Sequence, residues 1–168
     1  ALIDFTDAAG TMEWLEVCQA RRVPMVIGAT GHDEAELARI RDAAKSIPIV
    51  KAANFSIGVN TILGLIGKLA AGLGDAYDIE IVETHHRNKT DAPSGTALAL
   101  AEAICKQSRD REGAGPWWIH GRAGNTGVRP KGQIAIHAVR MGDVIGKHEV
   151  HFSGPGETIT ITHAAHSR

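Results

Sequence analysis

The first third of the chain alternates short apolar runs with longer segments in which apolar residues recur every three or four positions. The runs at residues 2–5, 24–27 and 47–52 have the length and composition of strands in a parallel sheet. Helical spacing between them predicts one helix that starts after Asp7 and another that starts at Asp33. This alternation is typical of right-handed βαβ units and predicts a doubly wound α/β arrangement.

The pattern changes after the third of these strands. Residues 57–73 form a long apolar segment with helical spacing, and residues 78–83 then alternate like a strand. A further helix is predicted at residues 94–107, and residues 109–115 read as a charged loop that contains glycine.

The last part of the chain shows period-two alternation, in residues 133–140, 144–152 and 157–163. Glycine-containing turns at residues 141–143 and 154–156 predict that these strands are antiparallel neighbours. The second half is therefore expected to be α+β, with two helices and an open mixed sheet. We place the domain boundary between residues 53 and 54.

Composition narrows the class of protein. The chain has 168 residues, 43% hydrophobic and 22% charged, with a formal net charge of -1. These values are ordinary for globular domains, and the charge gives no broad cationic field for nucleic acid. No apolar run approaches the roughly 20 residues of a membrane span, so no membrane partner is expected. Cys18 and Cys105 have no disulfide or metal spacing, which favours a cytoplasmic location.

The chemistry is concentrated in residues 83–96. His85 and His86 are adjacent there, and Lys89 follows closely. Histidine can take and give a proton near neutral pH, and lysine supplies a positive charge or a proton. Adjacent residues of a strand point to opposite faces, so one histidine can face a reacting centre while the other faces elsewhere.

The same segment ends in a predicted helix start. Ser94 is a good N-cap, and the backbone amides of Gly95 and Thr96 would point outward at the positive end of the helix dipole. Together with the imidazoles and the ammonium group, these amides suit a substrate that carries carboxylate or phosphate. A solvated loop before a helix is the alternative interpretation.

The nine histidines call for a test of metal binding. His148 and His151 are three residues apart, as are His163 and His166, but both pairs lie in strand-like or terminal segments. Residues three apart on a strand face opposite sides of the sheet, so neither pair converges on a metal ion. No metal site is predicted.

Two loops follow predicted parallel strands and could contact a nucleotide, because ligands of open α/β sheets bind at the carboxyl ends of strands. They contain Gly28, Ala29 and Thr30 in the first case, and Ala52, Ala53, Asn54 and Phe55 in the second. An ordinary tight turn is the alternative for the first loop. Neither G-x-G-x-x-G nor G-x-x-x-x-G-K-[ST] occurs in the chain.

Several segments resemble one family in its order. The longest, at residues 83–97, reads E-T-H-H-R-N-K-T-D-A-P-S-G-T-A and resembles the signature of the 4-hydroxy-tetrahydrodipicolinate (dihydrodipicolinate) reductases. Shorter segments agree with it: I-D-F-T, G-A-T-G, A-A-N-F-S, R-M-G-D-V-I-G-K-H and I-T-H-A-A-H-S-R. The histidine motif is specific, whereas each shorter segment alone is weak.

The resemblance implies a function. It implies NADH- or NADPH-dependent reduction of 4-hydroxy-tetrahydrodipicolinate to tetrahydrodipicolinate, in diaminopimelate and lysine biosynthesis. Residues 1–53 would be part of a dinucleotide-binding Rossmann domain. Residues 54–168 would bind the substrate and build a homotetramer through the open sheet.

The resemblance also implies residue roles. His85 resembles the catalytic acid/base, and Lys89 the proton donor. His86 would hold the substrate carboxylates together with the amides of Gly95 and Thr96. The two loops after the parallel strands resemble cofactor-contacting segments.

The chain departs from the family at both ends, because the first strand with its G-x-x-G-x-x-G loop and the last helix and strand have no counterpart. We therefore expect a fragment of a longer protein. The competing hypothesis is a non-catalytic assembly module that binds a dicarboxylate and self-associates without binding nucleotide.

Overall fold

A computed structural model describes residues 1–107 and 118–167 of the chain. They form two compact units, Ala1–Phe55 and Ser56–Arg168. The division lies two residues after the boundary placed from the sequence pattern. The loop expected at residues 109–115 lies outside the described residues.

The first unit is a three-stranded parallel sheet with two helices. Its elements are β1 (Leu2–Asp4), α1 (Ala8–Arg21), β2 (Met25–Ile27), α2 (Glu34–Ala43) and β3 (Ile49–Lys51). The strand order is β1-β2-β3, with every pair parallel, which confirms the α/β prediction. Asp7 caps α1 by accepting from the amide of Gly10, and Asp33 forms a capping box with Glu36 on α2.

The second unit is a five-stranded mixed sheet with two long helices. Its elements are α3 (Ile57–Leu73), a 3₁₀ turn (Gly74–Ala76), β4 (Asp78–His85), α4 (Gly95–Cys105), β5 (Trp118–His120), β6 (Ile134–Arg140), β7 (Gly146–Gly154) and β8 (Glu157–Ala165). The order is β5-β6-β4-β7-β8. β4 pairs in parallel with β6 and antiparallel with β7, and β7 pairs antiparallel with β8.

The predicted hairpin between β6 and β7 is wrong, because β4 lies between them. The connecting turn instead passes over the carboxyl end of β4. The amide of Met141 donates to the carbonyl of His85 at 3.0 Å, and the amide of Arg87 donates to the carbonyl of Gly142 at 3.1 Å. The last residue of β4 is thus held between the end of β6 and the start of β7.

One face of this sheet packs against α3 and α4. Neighbouring strands contribute isoleucine, valine and phenylalanine side chains to a buried core: Ile79, Ile81, Ile134, Ile136, Val150 and Phe152. Gly67 on α3 allows the two helices to approach closely, because a Cβ atom there would lie 2.4 Å from the carbonyl oxygen of Ala103 on α4.

The stretch Ile57–Ala76 is long and apolar enough to cross a membrane by length and composition alone. The sequence expectation that no segment reaches this length was therefore wrong. In the structure the helix packs one side, with Ile66 and Ala70, against the core beside the sheet.

The opposite face of the sheet carries polar side chains. Glu80 on β4 accepts two hydrogen bonds from Arg122 at 3.0 Å, one from Arg129 at 3.0 Å and one from His137 at 2.8 Å. This cluster holds the segment before β6 on the sheet.

Candidate active site

The helix-covered face of the second sheet changes from apolar to polar near the end of β4. Side chains two apart share a face, so Glu83 and His85 continue the row of Ile79 and Ile81. Glu83 lies opposite His148 on β7, and His148 lies opposite His163 on β8. Two residues after Glu83 on β4, His85 lies opposite Arg140 on β6. The register therefore gathers these side chains at one end of the core.

Glu83 is the most enclosed member of this group, with none of its side chain exposed. Arg140 binds it with two hydrogen bonds, of 2.8 and 2.7 Å, in the forked geometry typical of arginine and carboxylate. The Nδ1 atom of His85 lies 2.6 Å from its Oε2 atom, and the amide of Ser94 donates to Oε1 at 3.1 Å.

Two opposed effects set the charge of Glu83. Burial raises the pKa of its carboxyl group, but the hydrogen bonds from Arg140 and His85 lower it by more. The net pKa is therefore below the usual value. The carboxylate is therefore ionised at neutral pH.

His148 was not predicted as a site residue, yet it lies at the centre of this group. It is 6% exposed, and its Nε2 atom is 3.1 Å from the hydroxyl of Ser94. Its ring packs edge-on to His85, with centroids 5.2 Å apart, and lies 6.3 Å from that of His163. The alternation that puts His148 on the face of Val150 and Phe152 could have identified it.

The two central helices begin in the same way. The hydroxyl of Ser94 accepts from the amide of Ala97 at the start of α4, and that of Ser56 accepts from Val59 at the start of α3. Each serine also contacts a histidine of the sheet, since the Nε2 atom of His163 is 3.4 Å from the hydroxyl of Ser56. Both helix starts are thereby fixed against the polar end of the sheet.

Burial, reinforced by positive charge at His85, His163 and Lys89, lowers the pKa of His148 to about 4 despite the opposing effect of Glu83. We expect its NMR titration midpoint near 4 instead of the usual value of about 6.5. A histidine whose pKa is lower in the folded state binds fewer protons there. His148 by itself should therefore remove about 1.4 kcal/mol of stability from the second unit per pH unit as the pH falls from 6.5 toward 4.

Urea unfolding at several pH values, followed on amide NMR signals of β7, would check this slope. A midpoint for His148 near 6.5 would contradict the prediction.

Lys89 and Asp91 form an ion pair beside this group. The Nζ atom of Lys89 lies 2.7 and 2.8 Å from the two carboxylate oxygens of Asp91. The hydrogen bonds from Lys89 hold the pKa of Asp91 below its usual value. Arg140 donates to the carbonyl of Asp91 at 2.7 Å, and it thereby ties the loop that carries Lys89 to the buried Glu83.

The start of α4 is open. Ser94 is buried, but Gly95 is exposed, and a Cβ atom at Gly95 would meet no heavy atom within 4 Å. A glycine here is therefore not demanded by packing. Backbone amides at a helix start with free space beside them suit an anion.

His86 has different surroundings from His85. It lines a cavity of about 810 Å³ together with Arg87, Asn88, Gly142, Asp143 and Ile145. Thr96 lines a separate, narrow cavity with His148 and His163. The two neighbouring histidines thus serve different surroundings, as the strand pattern suggested.

The two loops of the first unit lie side by side at the carboxyl edge of its sheet. The amide of Gly28 donates to the carbonyl of Asp4 at 2.7 Å, and that of Ala52 donates to the carbonyl of Ile27 at 3.1 Å. Thr30 and Ala53 are exposed, whereas the side chain of Ala29 is buried in the core.

Aromatic side chains flank these loops. Phe5 and Phe55 pack edge to face with centroids 5.8 Å apart, and 66% and 41% of their surfaces stay exposed. A Cβ atom at Gly28 would lie 2.2 Å from the ring of Phe5, so a larger residue there would require this ring to move. Asn54, which lies between the exposed residues Ala53 and Phe55 of the second loop, is half buried.

Among residues 1–107 and 118–167, no group of three or more His, Cys, Asp or Glu side chains could hold a metal ion. The Nε2 atoms of His148 and His163 lie near the hydroxyl groups of Ser94 and Ser56.

Comparison with known proteins identifies the class. Residues 58–168 match the family described as dihydrodipicolinate reductase, C-terminus, and residues 1–55 match dihydrodipicolinate reductase, N-terminus. The chain therefore belongs to the dihydrodipicolinate reductase family.

Individual relatives agree. The chain is 48% identical over 169 residues to the 4-hydroxy-tetrahydrodipicolinate reductase of Laribacter hongkongensis (strain HLHK9), which covers 100% of this chain and 62% of the relative. It is 48% identical over 168 residues to that of Thiobacillus denitrificans (strain ATCC 25259 / T1), over 99% of this chain and 62% of the relative. The chain thus spans 62% of the length of these curated relatives.

A solved structure has the same fold. The dipicolinate-bound dihydrodipicolinate reductase from Paenisporosarcina sp. TG-14 has a TM-score of 0.71 and 29% identity, over 98% of this chain and 61% of that one.

Proposed function

We propose that the chain carries the substrate-binding and proton-transfer residues of an enzyme that reduces 4-hydroxy-tetrahydrodipicolinate with NADH or NADPH. The observation that carries the proposal is the joining of His85 to the start of α4 through Glu83, at 2.6 and 3.1 Å. The carboxylate of Glu83 thereby fixes both His85, which can exchange a proton, and the start of α4, which can bind an anion. The family assignment agrees, because its curated members bear this activity in their names.

The substrate in this proposal is a dicarboxylate. One carboxylate would accept from the amides of Gly95 and Thr96, where the helix dipole and the unfilled space beside Gly95 both favour it. His86 and Lys89 would supply further positive or hydrogen-bonding groups. The relative whose structure contains dipicolinate, a flat dicarboxylate, supports this class of ligand.

His85 and Lys89 would move the proton that accompanies reduction. The Nδ1 atom of His85 is held by Glu83, so Nε2 is the atom available to the substrate. Lys89, with 20% of its side chain exposed, remains partly accessible although it pairs with Asp91. Together they would provide acid–base catalysis of the kind that is worth roughly 10²–10⁴ in rate, with Lys89 or the imidazolium form of His85 donating the proton.

The cofactor in this proposal is a nicotinamide dinucleotide, which supplies the hydride when bound. The exposed rings of Phe5 and Phe55 and the exposed Thr30 fit an uncharged, flat group at the carboxyl edge of the first sheet. We therefore assign the loops at residues 28–30 and 52–55 to the cofactor. A homotetramer, a cytoplasmic location and the absence of nucleic-acid or membrane partners stay predictions.

Titration calorimetry with pyridine-2,6-dicarboxylate tests the ligand class. We expect saturable binding by the 168-residue chain, and the complete gene product should reduce 4-hydroxy-tetrahydrodipicolinate with NADH or NADPH. Binding without turnover in the complete gene product would favour the dicarboxylate-binding assembly module. Absence of both would overturn the proposed function.

Gly95→Ala separates ligand binding from stability. We expect pyridine-2,6-dicarboxylate affinity to fall about tenfold, because the methyl group enters the space beside the helix amides. Stability should stay equal or rise by up to about 1 kcal/mol, since alanine is the better helix former. Calorimetry and urea unfolding check the two parts. Gly72→Ala, also on a helix with open space around it, is the matched control and should leave affinity unchanged.

A further inference from the structure

We propose that Glu83 is a positioning residue that holds the ring of His85 with Nδ1 protonated and at the same time fixes the start of α4. This inference rests on the proposed function, because it assigns how the proton-transfer group of that site is kept in place. Glu83 itself is fully buried and touches no solvent. Its effect on the reaction would therefore be transmitted through His85 and Ser94.

The carboxylate of Glu83 is occupied on both oxygens. Oε2 receives the Nδ1 atom of His85 and the Nη1 atom of Arg140, at 2.6 and 2.8 Å. Oε1 receives the Nη2 atom of Arg140 and the amide of Ser94, at 2.7 and 3.1 Å. Four donor atoms from three residues, on β4, on β6 and at the start of α4, meet one side chain, and each donor restricts the orientation of the carboxylate toward the other three.

The charge of Glu83 decides which nitrogen of His85 carries hydrogen. An ionised carboxylate can only accept hydrogen bonds, so the nitrogen 2.6 Å from it must be the donor. The neutral imidazole is then the Nδ1–H tautomer, with its lone pair on Nε2. A carboxylate behind a histidine sets the tautomer in this way at many sites.

The space beside Nε2 supports this orientation. Gly146 at the start of β7 is next to the ring, and a Cβ atom there would lie 3.1 Å from Nε2. Because glycine has no side chain, this position leaves the exchanging nitrogen uncrowded on that side. His85 keeps 12% of its side chain exposed.

The same carboxylate sets the distance between proton transfer and anion binding. Ser94 immediately precedes Gly95, the proposed carboxylate-binding residue, and its amide is held by Glu83. Movement of Glu83 would therefore shift both the ring of His85 and the anion-binding start of α4. Positioning errors of this kind are costly, because small displacements of reacting groups lower rates strongly.

NMR of the 168-residue chain with ¹⁵N-labelled histidine tests the tautomer directly. When the ring is neutral, the wild-type His85 signals should show a protonated Nδ1 and an unprotonated Nε2. Glu83→Gln, which keeps the shape but replaces one oxygen with an NH₂ group, should lose this tautomer preference. Glu80→Gln is the matched control: it removes the carboxylate that faces His137 on the other side of β4, so it should change His137 and leave His85 alone.

Turnover in the complete gene product is the second measurement. Glu83→Gln should lower kcat at least about tenfold, as loss of a residue behind a catalytic group commonly does. Glu83→Asp, which restores the charge on a shorter chain, should recover part of the tautomer preference.

A wild-type His85 in the Nε2–H tautomer would overturn the inference, and that spectrum does not depend on the folding of any variant. An unchanged kcat in Glu83→Gln would overturn it too. If the wild-type protein has no reductase activity, the proposed function fails, while the tautomer spectrum still judges the role of Glu83.

Discussion

His85→Asn is expected to lower kcat by about 10²–10⁴, the range typical of a lost general acid or base. Asparagine is the informative replacement, because its side-chain amide can take the place of Nδ1 and still donate to Glu83. The substitution removes the Nε2 side of the ring while the buried hydrogen bond of 2.6 Å has a substitute donor. Affinity for pyridine-2,6-dicarboxylate should change little, since the helix amides are untouched.

His86→Asn is the matched comparison one residue further along. His86 lines the wide cavity with Arg87 and Asp143, and its proposed role is to hold a substrate carboxylate. We therefore expect KM to rise while kcat changes much less. Steady-state kinetics of the two variants in the complete gene product give the separation. A normal kcat for His85→Asn would remove His85 from the proposed mechanism.

The alternation in β4 shows how far the sequence predicts this site. Apolar residues at 79 and 81 place positions 83 and 85 on the same buried face, so the local pattern already contains the buried carboxylate and the histidine. Arg140, the partner of Glu83, is 57 positions away in the chain. That contact depends on β4 pairing with β6, and local periodicity contains no information about which strands are neighbours.

The mistaken β6–β7 hairpin has the same origin. The Met141-Gly142-Asp143 turn has the composition of a tight connection, and turn chemistry is local. The order β6-β4-β7 instead requires the connection to pass over the end of β4. That passage brings Arg140 and Gly146 to either side of His85, so the error in topology concealed part of the site.

His148 was missed for a different reason. Its sequence neighbours suggested only a metal pair with His151, which strand geometry excluded. Its actual partners, Ser94 and His85, are more than 50 positions away in the sequence. The role of this buried imidazole depends on contacts with residues that are distant in the sequence.

Arg140→Ala is expected to destabilise the second unit by about 3–5 kcal/mol at pH 7, the usual cost of removing one partner of a buried ion pair. Glu83 would remain fully buried with only His85 and the amide of Ser94 as partners. The variant also loses the hydrogen bond that ties the Lys89 loop to the sheet. Urea unfolding followed on amide NMR signals of β4 and β7 measures the change.

Arg122→Ala is the control for a partly exposed pair. Its partner Glu80 keeps Arg129 and His137 after the change, and pairs open to solvent contribute at most about 1 kcal/mol. We expect a loss of that size or smaller. A comparable loss in both variants would mean that the burial of Glu83 adds nothing to the strength of its pair.

The pH dependence distinguishes a charge effect from a loss of packing. The pKa of Glu83 is lowered in the folded protein, so the stability it contributes is present above the usual glutamate pKa, about 4.3, and is lost as pH falls through the folded value. Without Arg140, burial raises the pKa of Glu83, and the variant can neutralise the carboxyl group by binding a proton. The difference in stability between wild type and Arg140→Ala should therefore shrink as pH falls from 7 toward 4. A difference that stayed constant over this range would assign the role of Arg140 to packing instead of to the charge of Glu83.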